Sequence, residues 1–138
     1  MSRAFADTSF YVALTNPADE HHRAARARMG DPSLRLIVTE FILVELGNFL
    51  SGGPNRRLLR SLVEQIRSDP NTRMVPLSTE LLTAGLELYD RRPDKQWSLT
   101  DCISFVVMER RGLSEALTAD RHSEQAGFTA LLRQGHDG

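Results

Sequence analysis

The chain has 138 residues, with 17 Lys and Arg against 18 Asp and Glu for a formal net charge of −1. That length fits one domain with a real core and excludes a large multidomain enzyme. The charge balance excludes a global basic field, so any nucleic-acid binding needs a local patch. Arg3 to Ala6 forms a short apolar strand that ends at the polar cluster Asp7-Thr8-Ser9, and this cluster can cap a helix over Phe10 to Thr15. A polar helix is expected over Ala18 to Met29. The apolar, β-branched run Leu34 to Val38 predicts a buried strand. Thr39 caps a helix over Glu40 to Leu50 that stops at Gly52-Gly53. Pro54 suits the start of the next helix, in which Leu58, Leu59, Leu62, Val63 and Ile66 recur at helical spacing. Thr72 to Pro76 predicts a short strand. Ser78 caps a helix over Thr79 to Tyr89, buried through Leu81, Leu82, Leu86 and Tyr89. Thr100 caps a mostly buried helix over Asp101 to Arg110. Ala116 to Thr118 and Phe128 to Leu132 are the last two strands.

Short apolar strands separated by helices predict an α/β domain: a central, mainly parallel sheet of four or five strands with helices on both faces. Ligand sites in such sheets lie outside the carboxyl ends of the strands, and acids stand at those ends. Asp7 follows the first strand and Asp120 the fourth. Asp101 opens a helix. Glu45 sits among Phe41, Ile42, Leu43, Val44 and Leu46, where an unpaired charge is costly to bury. Each alone has a plain explanation, such as helix-dipole stabilisation for Asp101 or a turn for Asp120. Together they repel unless hard cations neutralise them. No Lys or His is expected to do so from their flanks, although Arg121 adjoins Asp120. An oxygen-only set favours Mg²⁺ or Mn²⁺, ions suited to phosphodiester hydrolysis.

The runs Asp7-Thr8-Ser9, Glu45-Leu46, Trp97-Ser98-Leu99-Thr100-Asp101-Cys102 and Leu117-Thr118-Ala119-Asp120-Arg121-His122 resemble the PIN-domain nucleases. The resemblance is to the VapC-type ribonuclease toxins of bacterial toxin–antitoxin pairs, and it covers nearly the whole chain. It implies a three-layer α/β/α PIN-like domain over residues 1–135, with 136–138 as a short tail. It also implies a Mg²⁺ or Mn²⁺ cofactor and cleavage of single-stranded RNA loops in tRNA, rRNA or mRNA. Position by position, Asp7, Glu45 and Asp101 match the three core acids and Asp120 the more variable fourth. Thr8, Ser9 and Thr118 match the supporting polar positions. The resemblance further implies that Asp7 and Asp101 bind the main ion, while Glu45 and Asp120 complete the shell or orient the attacking water. Cleavage would then leave a 5′-phosphate and a 3′-hydroxyl. The run Arg121-His122-Ser123 departs from the family, in which an aromatic residue often stands here. An antitoxin partner and a homodimer formed through residues 41–50 and 54–66 are also implied.

Other residues have plainer expectations. His21 and His22 are neighbours on a surface helix and do not converge on one ion. His122 is a solvated loop residue, Cys102 is buried, Trp97 anchors a loop on the core, and Glu40 serves the helix dipole. Arg56, Arg57 and Arg60 are solvated. Arg91, Arg92 and Lys95 are candidate RNA contacts ahead of Asp101. A lone cysteine forms no intramolecular disulfide or Cys-based zinc site. Apolar runs such as Phe41 to Val44 fall far short of the about 20 residues of a membrane span. The opening residues, which include Asp7, lack the long apolar core of a signal peptide, so a cytoplasmic protein is expected. The alternatives are a PIN-type RNA- or DNA-processing nuclease without toxicity, a receiver-like signalling module and an inactive binding domain. The receiver reading lacks paired acids after the first strand and a lysine after the last.

Overall fold

The computed structural model describes residues 2–134. The expected tail at 136–138, and residue 135 before it, lie outside the described residues. The elements are β1 (Ser2–Ala6), α1 (Thr8–Thr15), α2 (His22–Met29), β2 (Leu34–Thr39), α3 (Glu40–Leu50), α4 (Leu58–Ser68) and β3 (Thr72–Val75). They continue with α5 (Thr79–Arg91), α6 (Leu99–Arg110), β4 (Glu115–Leu117), α7 (His122–Gln125), β5 (Thr129–Ala130) and α8 (Leu131–Gln134).

The five strands form one parallel sheet in the order β3-β2-β1-β4-β5. Ala4, Phe5 and Ala6 are consecutive and all buried, as are Leu36 to Thr39. Successive strand residues point to opposite faces, so both faces of the sheet are covered, as a parallel sheet requires. The sheet is an α/β arrangement with β1 at its centre. The chain runs outward from β1 through β2 to β3, then returns to place β4 on the other side of β1. The strand order therefore reverses between β1 and β4, the place where open parallel sheets bind ligands.

Two close contacts set the helices that border this point. Gly85 on α5 meets α6 so tightly that an added Cβ would collide with Ile103 Cγ1 and stand 3.3 Å from the Ile103 backbone nitrogen. Trp97, Cys102 and Phe105 form a second small core. The Trp97 and Phe105 rings meet edge to face with centroids 5.1 Å apart, and the indole Nε1 donates to Gln125 Oε1 at 3.1 Å. Trp97 thus anchors the loop ahead of α6, as expected, and Cys102 is buried.

Several boundaries differ from expectation. Ser98 caps α6 in place of Thr100: its hydroxyl accepts from Asp101 N at 3.0 Å while Asp101 Oδ2 accepts from Ser98 N at 3.0 Å. This reciprocal capping box satisfies two orphan donors, which a Thr100 cap would not. Residues 17–21 form turns and α2 begins only at His22. Asp19 Oδ1 accepts from His21 N and holds that turn. Residues 54–57 are also turns, so Pro54 precedes α4 by four residues. The last strand is only Thr129–Ala130 before the chain turns helical. On α5, Leu81 and Gly85 face inward, while Leu82, Leu86 and Tyr89 are exposed. The close approach at Gly85 fixes which face packs on α6.

Candidate active site

Each acid reaches the site through its own element. Asp7 leaves β1 at the sheet's carboxyl edge, where its backbone N–H donates to Leu117 O of β4 at 3.1 Å. Thr118 and Asp120 follow β4. Glu45 comes from α3, whose start is set by the Thr39 hydroxyl accepting from Ile42 N at 3.2 Å. Asp101 comes from the capping box of α6. Asp7, Thr8, Ser9, Glu45, Ser98, Asp101, Asp120 and His122 all line one cleft of about 410 Å³.

A hydroxyl network fixes the acids. Thr118 Oγ1 donates to Asp7 Oδ2 at 2.8 Å and Ser9 Oγ donates to the same oxygen at 3.2 Å. Ser9 Oγ accepts from Ala119 N at 3.0 Å, and Thr118 Oγ1 accepts from Asp120 N at 3.0 Å. These bonds lace the end of β1 to the end of β4. The Thr8 hydroxyl donates to Glu45 Oε1, so the residue after Asp7 holds the acid from α3. All three expected supporting residues therefore contact the acids or the backbone beside them.

His122 departs from the expectation of a solvated loop. It opens the short helix α7 and is half-buried. Its Nδ1 lies 3.0 Å from Asp101 Oδ2 and 3.3 Å from Asp120 Oδ2. Both partners are acceptors, which assigns the Nδ1 proton to the imidazole. His122 N also donates to Asp120 Oδ1 at 2.9 Å. The histidine expected in a solvated loop thus links Asp101 at the start of α6 to Asp120 after β4. The signal was its position two residues after Asp120 at a helix start. His21 is also buried and lines the cleft, whereas His22 Nδ1 turns to Ala13 O at 2.7 Å. The two histidines diverge, as expected, but His21 lies in the turn before α2 and is not on an open surface. Phe49, Gln96, Val12 and Asp19 also line the cleft, outside the expected site residues.

The charges are crowded. Asp7 has its pKa pushed up to about 6, chiefly because burial strips water from the carboxylate. The Thr118 hydrogen bond opposes this, and the charges of Asp101 and Glu45 add to it. The donor set of hard carboxylate oxygens with excess negative charge fits a divalent cation. One carboxylate oxygen each from Asp101 and Asp120, and a ring nitrogen of His122, lie within 4.8 Å of one another. Asp7 and Glu45 line the same cleft outside that tight group.

The basic residues lie elsewhere. None of Arg91, Arg92 or Lys95 lines the acid cleft; Arg92 and Lys95 line a separate depression with Trp97. Arg92 is held by Asp94 through two hydrogen bonds of 3.0 Å and rests 5.1 Å from the Trp97 ring centroid. Arg56 donates to Ser51 O. Glu40 stays apart from the site and its Oε1 accepts from Leu77 N at 2.8 Å. No helix among the described residues is long and apolar enough to cross a membrane.

Comparison with known proteins agrees with this geometry. The chain is 27% identical over 127 residues to the 23S rRNA-specific endonuclease VapC20 of Mycobacterium tuberculosis, covering 92% of this chain and 96% of that protein. The crystal structure of that VapC20, a sarcin-ricin loop cleaving toxin, superposes with a TM-score of 0.82 at 25% identity over 91% of this chain and 96% of the other. Two more distant structures share the fold. VapBC2 from Rickettsia felis, bound to a promoter DNA fragment, matches at TM-score 0.66 and 11% identity over 94% of this chain and 97% of the other. FitAcB from Neisseria gonorrhoeae matches at 0.63 and 15% over 94% and 95%. The PIN domain family model matches residues 4–128. With that match spanning most of its length and the acids gathered at the sheet's switch point, the chain belongs to the PIN-domain family.

Proposed function

We propose that this protein is a divalent-metal-dependent endoribonuclease and the toxin of a toxin–antitoxin pair. The observation that carries the reading is the convergence of Asp7, Glu45, Asp101 and Asp120 in one cleft at the β1–β4 switch point. Likeness to VapC20 supports an RNA substrate and makes the sarcin–ricin loop of 23S rRNA the first one to test.

Asp7, Asp101, Asp120 and Glu45 would hold a Mg²⁺ or Mn²⁺ ion. Such an ion supplies charge neutralisation at phosphorus and lowers the pKa of water. The chain's own residues do the remaining work. Thr118 and Ser9 orient the Asp7 carboxylate and favour its ionised form. Thr8 fixes Glu45 against the cleft wall, and His122 holds Asp101 and Asp120 together. These acids would position the attacking water in line with the scissile bond, leaving a 5′-phosphate and a 3′-hydroxyl. Lys95 and Arg91 are the better candidates for outlying RNA phosphates, because Arg92 is already paired with Asp94. We assign residues 1–135 to a single nuclease domain. We further propose a cytoplasmic homodimer restrained by a cognate antitoxin protein.

Mapping RNA 5′ ends after a short pulse of expression in bacteria tests the reading. Growth arrest with a new end at one rRNA, tRNA or mRNA loop, absent for Asp7→Asn at equal protein level, is expected. Arrest without any new end would count against RNA cleavage.

A further inference from the structure

Helix α3 presents three faces with different surroundings. Ile42, Leu46 and Leu50 are buried in the core. Leu43, Val44, Gly47, Asn48 and Ser51 line a groove shared with Leu59 and Val63 of α4. Glu45 and Phe49 line the acid cleft and are not part of that groove. Residues four apart on a helix are neighbours, with Cβ atoms about 5–6 Å apart. Phe49 therefore stands one helical turn from a candidate catalytic acid, at the mouth of the site. It is 64% exposed, so the ring face is open to a ligand at the mouth of the cleft.

The rest of the cleft narrows what that ligand is. Its walls are carboxylates, hydroxyls, the imidazoles of His21 and His122 and the amide of Gln96, and Phe49 and Val12 are its large apolar side chains. An apolar partner surface would have to desolvate these acids without pairing them, at high cost. A nucleobase, in contrast, offers a flat face to an aromatic ring while its own phosphate faces the ion site. Stacking of this kind serves single-stranded nucleic acids and tolerates any base.

We infer that Phe49 is the stacking platform for a nucleobase of single-stranded RNA, next to the phosphodiester placed at the acids. The inference rests on the ribonuclease reading above and adds to it the residue that seats the strand. Phe49 is a binding residue for the substrate and takes no part in proton transfer. Its contribution is independent of which ion is bound.

The test is steady-state cleavage of a single-stranded RNA oligonucleotide by wild type, Phe49→Ala, Phe49→Leu and Phe49→Trp. Phe49→Ala raises KM about tenfold, with kcat within about threefold. Phe49→Trp restores KM, and Phe49→Leu does not, because a branched alkyl group has no ring face. A series of substrates lacking one base at a time locates the stacked nucleotide. At that position, removing the base costs the wild type about tenfold in KM and costs Phe49→Ala nothing further. Because the side chain is exposed, the melting temperatures of all variants stay close to wild type. The inference is overturned if wild type cleaves RNA and Phe49→Ala matches it, or if Leu serves as well as Trp. It is also overturned if Phe49→Ala leaves KM unchanged but alters sedimentation, which would make the ring a contact between protein copies. If wild type cuts no RNA at all, the ribonuclease reading falls and takes this inference with it, an outcome distinct from the others.

Discussion

Asp7 carries the site's electrostatic strain. Its carboxyl titrates near pH 6 because burial and the charges of Asp101 and Glu45 disfavour the ionised form. In the unfolded chain the same group titrates near its ordinary value of 3.8. Between those two values the fold binds the proton more tightly than the unfolded chain, so this group's contribution to stability falls as pH rises from about 4 to 6. Asp7→Asn has no such slope. In buffer without divalent ions, the variant should gain on wild type by about 2 kcal/mol between pH 4 and pH 7. Urea unfolding of both proteins at the two pH values checks this; a constant difference would mean that Asp7 ionises freely. Thr118→Ala removes the main opposing hydrogen bond and should raise the Asp7 pKa further, which ¹³C NMR of the carboxyl carbon can follow. The hydroxyl partners Thr8, Ser9 and Thr118 are marked only by the family resemblance, but the four acids are legible in the sequence, because each sits directly after a strand or in a conspicuous helical context. His122 was not, since its partner Asp101 lies 21 residues away and only the fold brings them to 3.0 Å.

At the scale of elements, α6 is the part whose placement matters most for chemistry. Its capping box makes Asp101 do double duty, as the Ser98 N–H acceptor and as a cleft acid. Ser98→Ala should cost about 1 kcal/mol of stability, because Asp101 N loses its acceptor, whereas the Ser98 backbone N–H that donates to Asp101 Oδ2 stays in place. Urea unfolding checks this, and an unchanged midpoint would contradict a Ser98 cap. Gly85→Val should cost about 1–3 kcal/mol, because the side chain must displace Ile103 on α6. Thermal unfolding reads this directly, and an unchanged melting temperature would contradict the close α5–α6 contact. Most strands and helices were legible from their apolar spacing, including the Thr39 and Ser78 caps, which accept from Ile42 N and Leu81 N. The cap of α6 was not, because Ser98 and Thr100 are both good caps and only the reciprocal bond with Asp101 decides between them. The inward face of α5 departs from expectation for a similar reason. Leu82, Leu86 and Tyr89 have the spacing of a buried stripe, but the tight glycine contact turns Leu81 and Gly85 to the core instead.

For the whole molecule, the order β3-β2-β1-β4-β5 explains why residues from position 7 to position 122 meet. Placing β1 and β4 side by side leaves a crevice at their carboxyl ends, and every acid of the site borders it. The parallel sheet was foreseeable from alternating strands and helices; the strand order was not, since strand pairing leaves no local mark on short apolar segments such as Glu115–Leu117. A fold that gathers uncompensated carboxylates is stabilised by whatever neutralises them. Mn²⁺ should therefore raise the melting temperature, and more at pH 7.5 than at pH 5, where a proton on Asp7 competes with the ion. The two measurements differ only in pH, so an equal or reversed shift would argue that the ion does not bind beside Asp7.

The most direct test of metal-dependent RNA cleavage uses purified, partner-free protein incubated with total RNA and with an oligonucleotide carrying the 23S rRNA sarcin–ricin loop. Mg²⁺, Mn²⁺ and EDTA arms would be run with Asp7→Asn alongside. Metal-dependent cleavage at these acids predicts discrete fragments with either ion, lost in EDTA and in the variant. Undiminished cleavage by Asp7→Asn, or no cleavage by a folded protein that binds Mn²⁺, would contradict it.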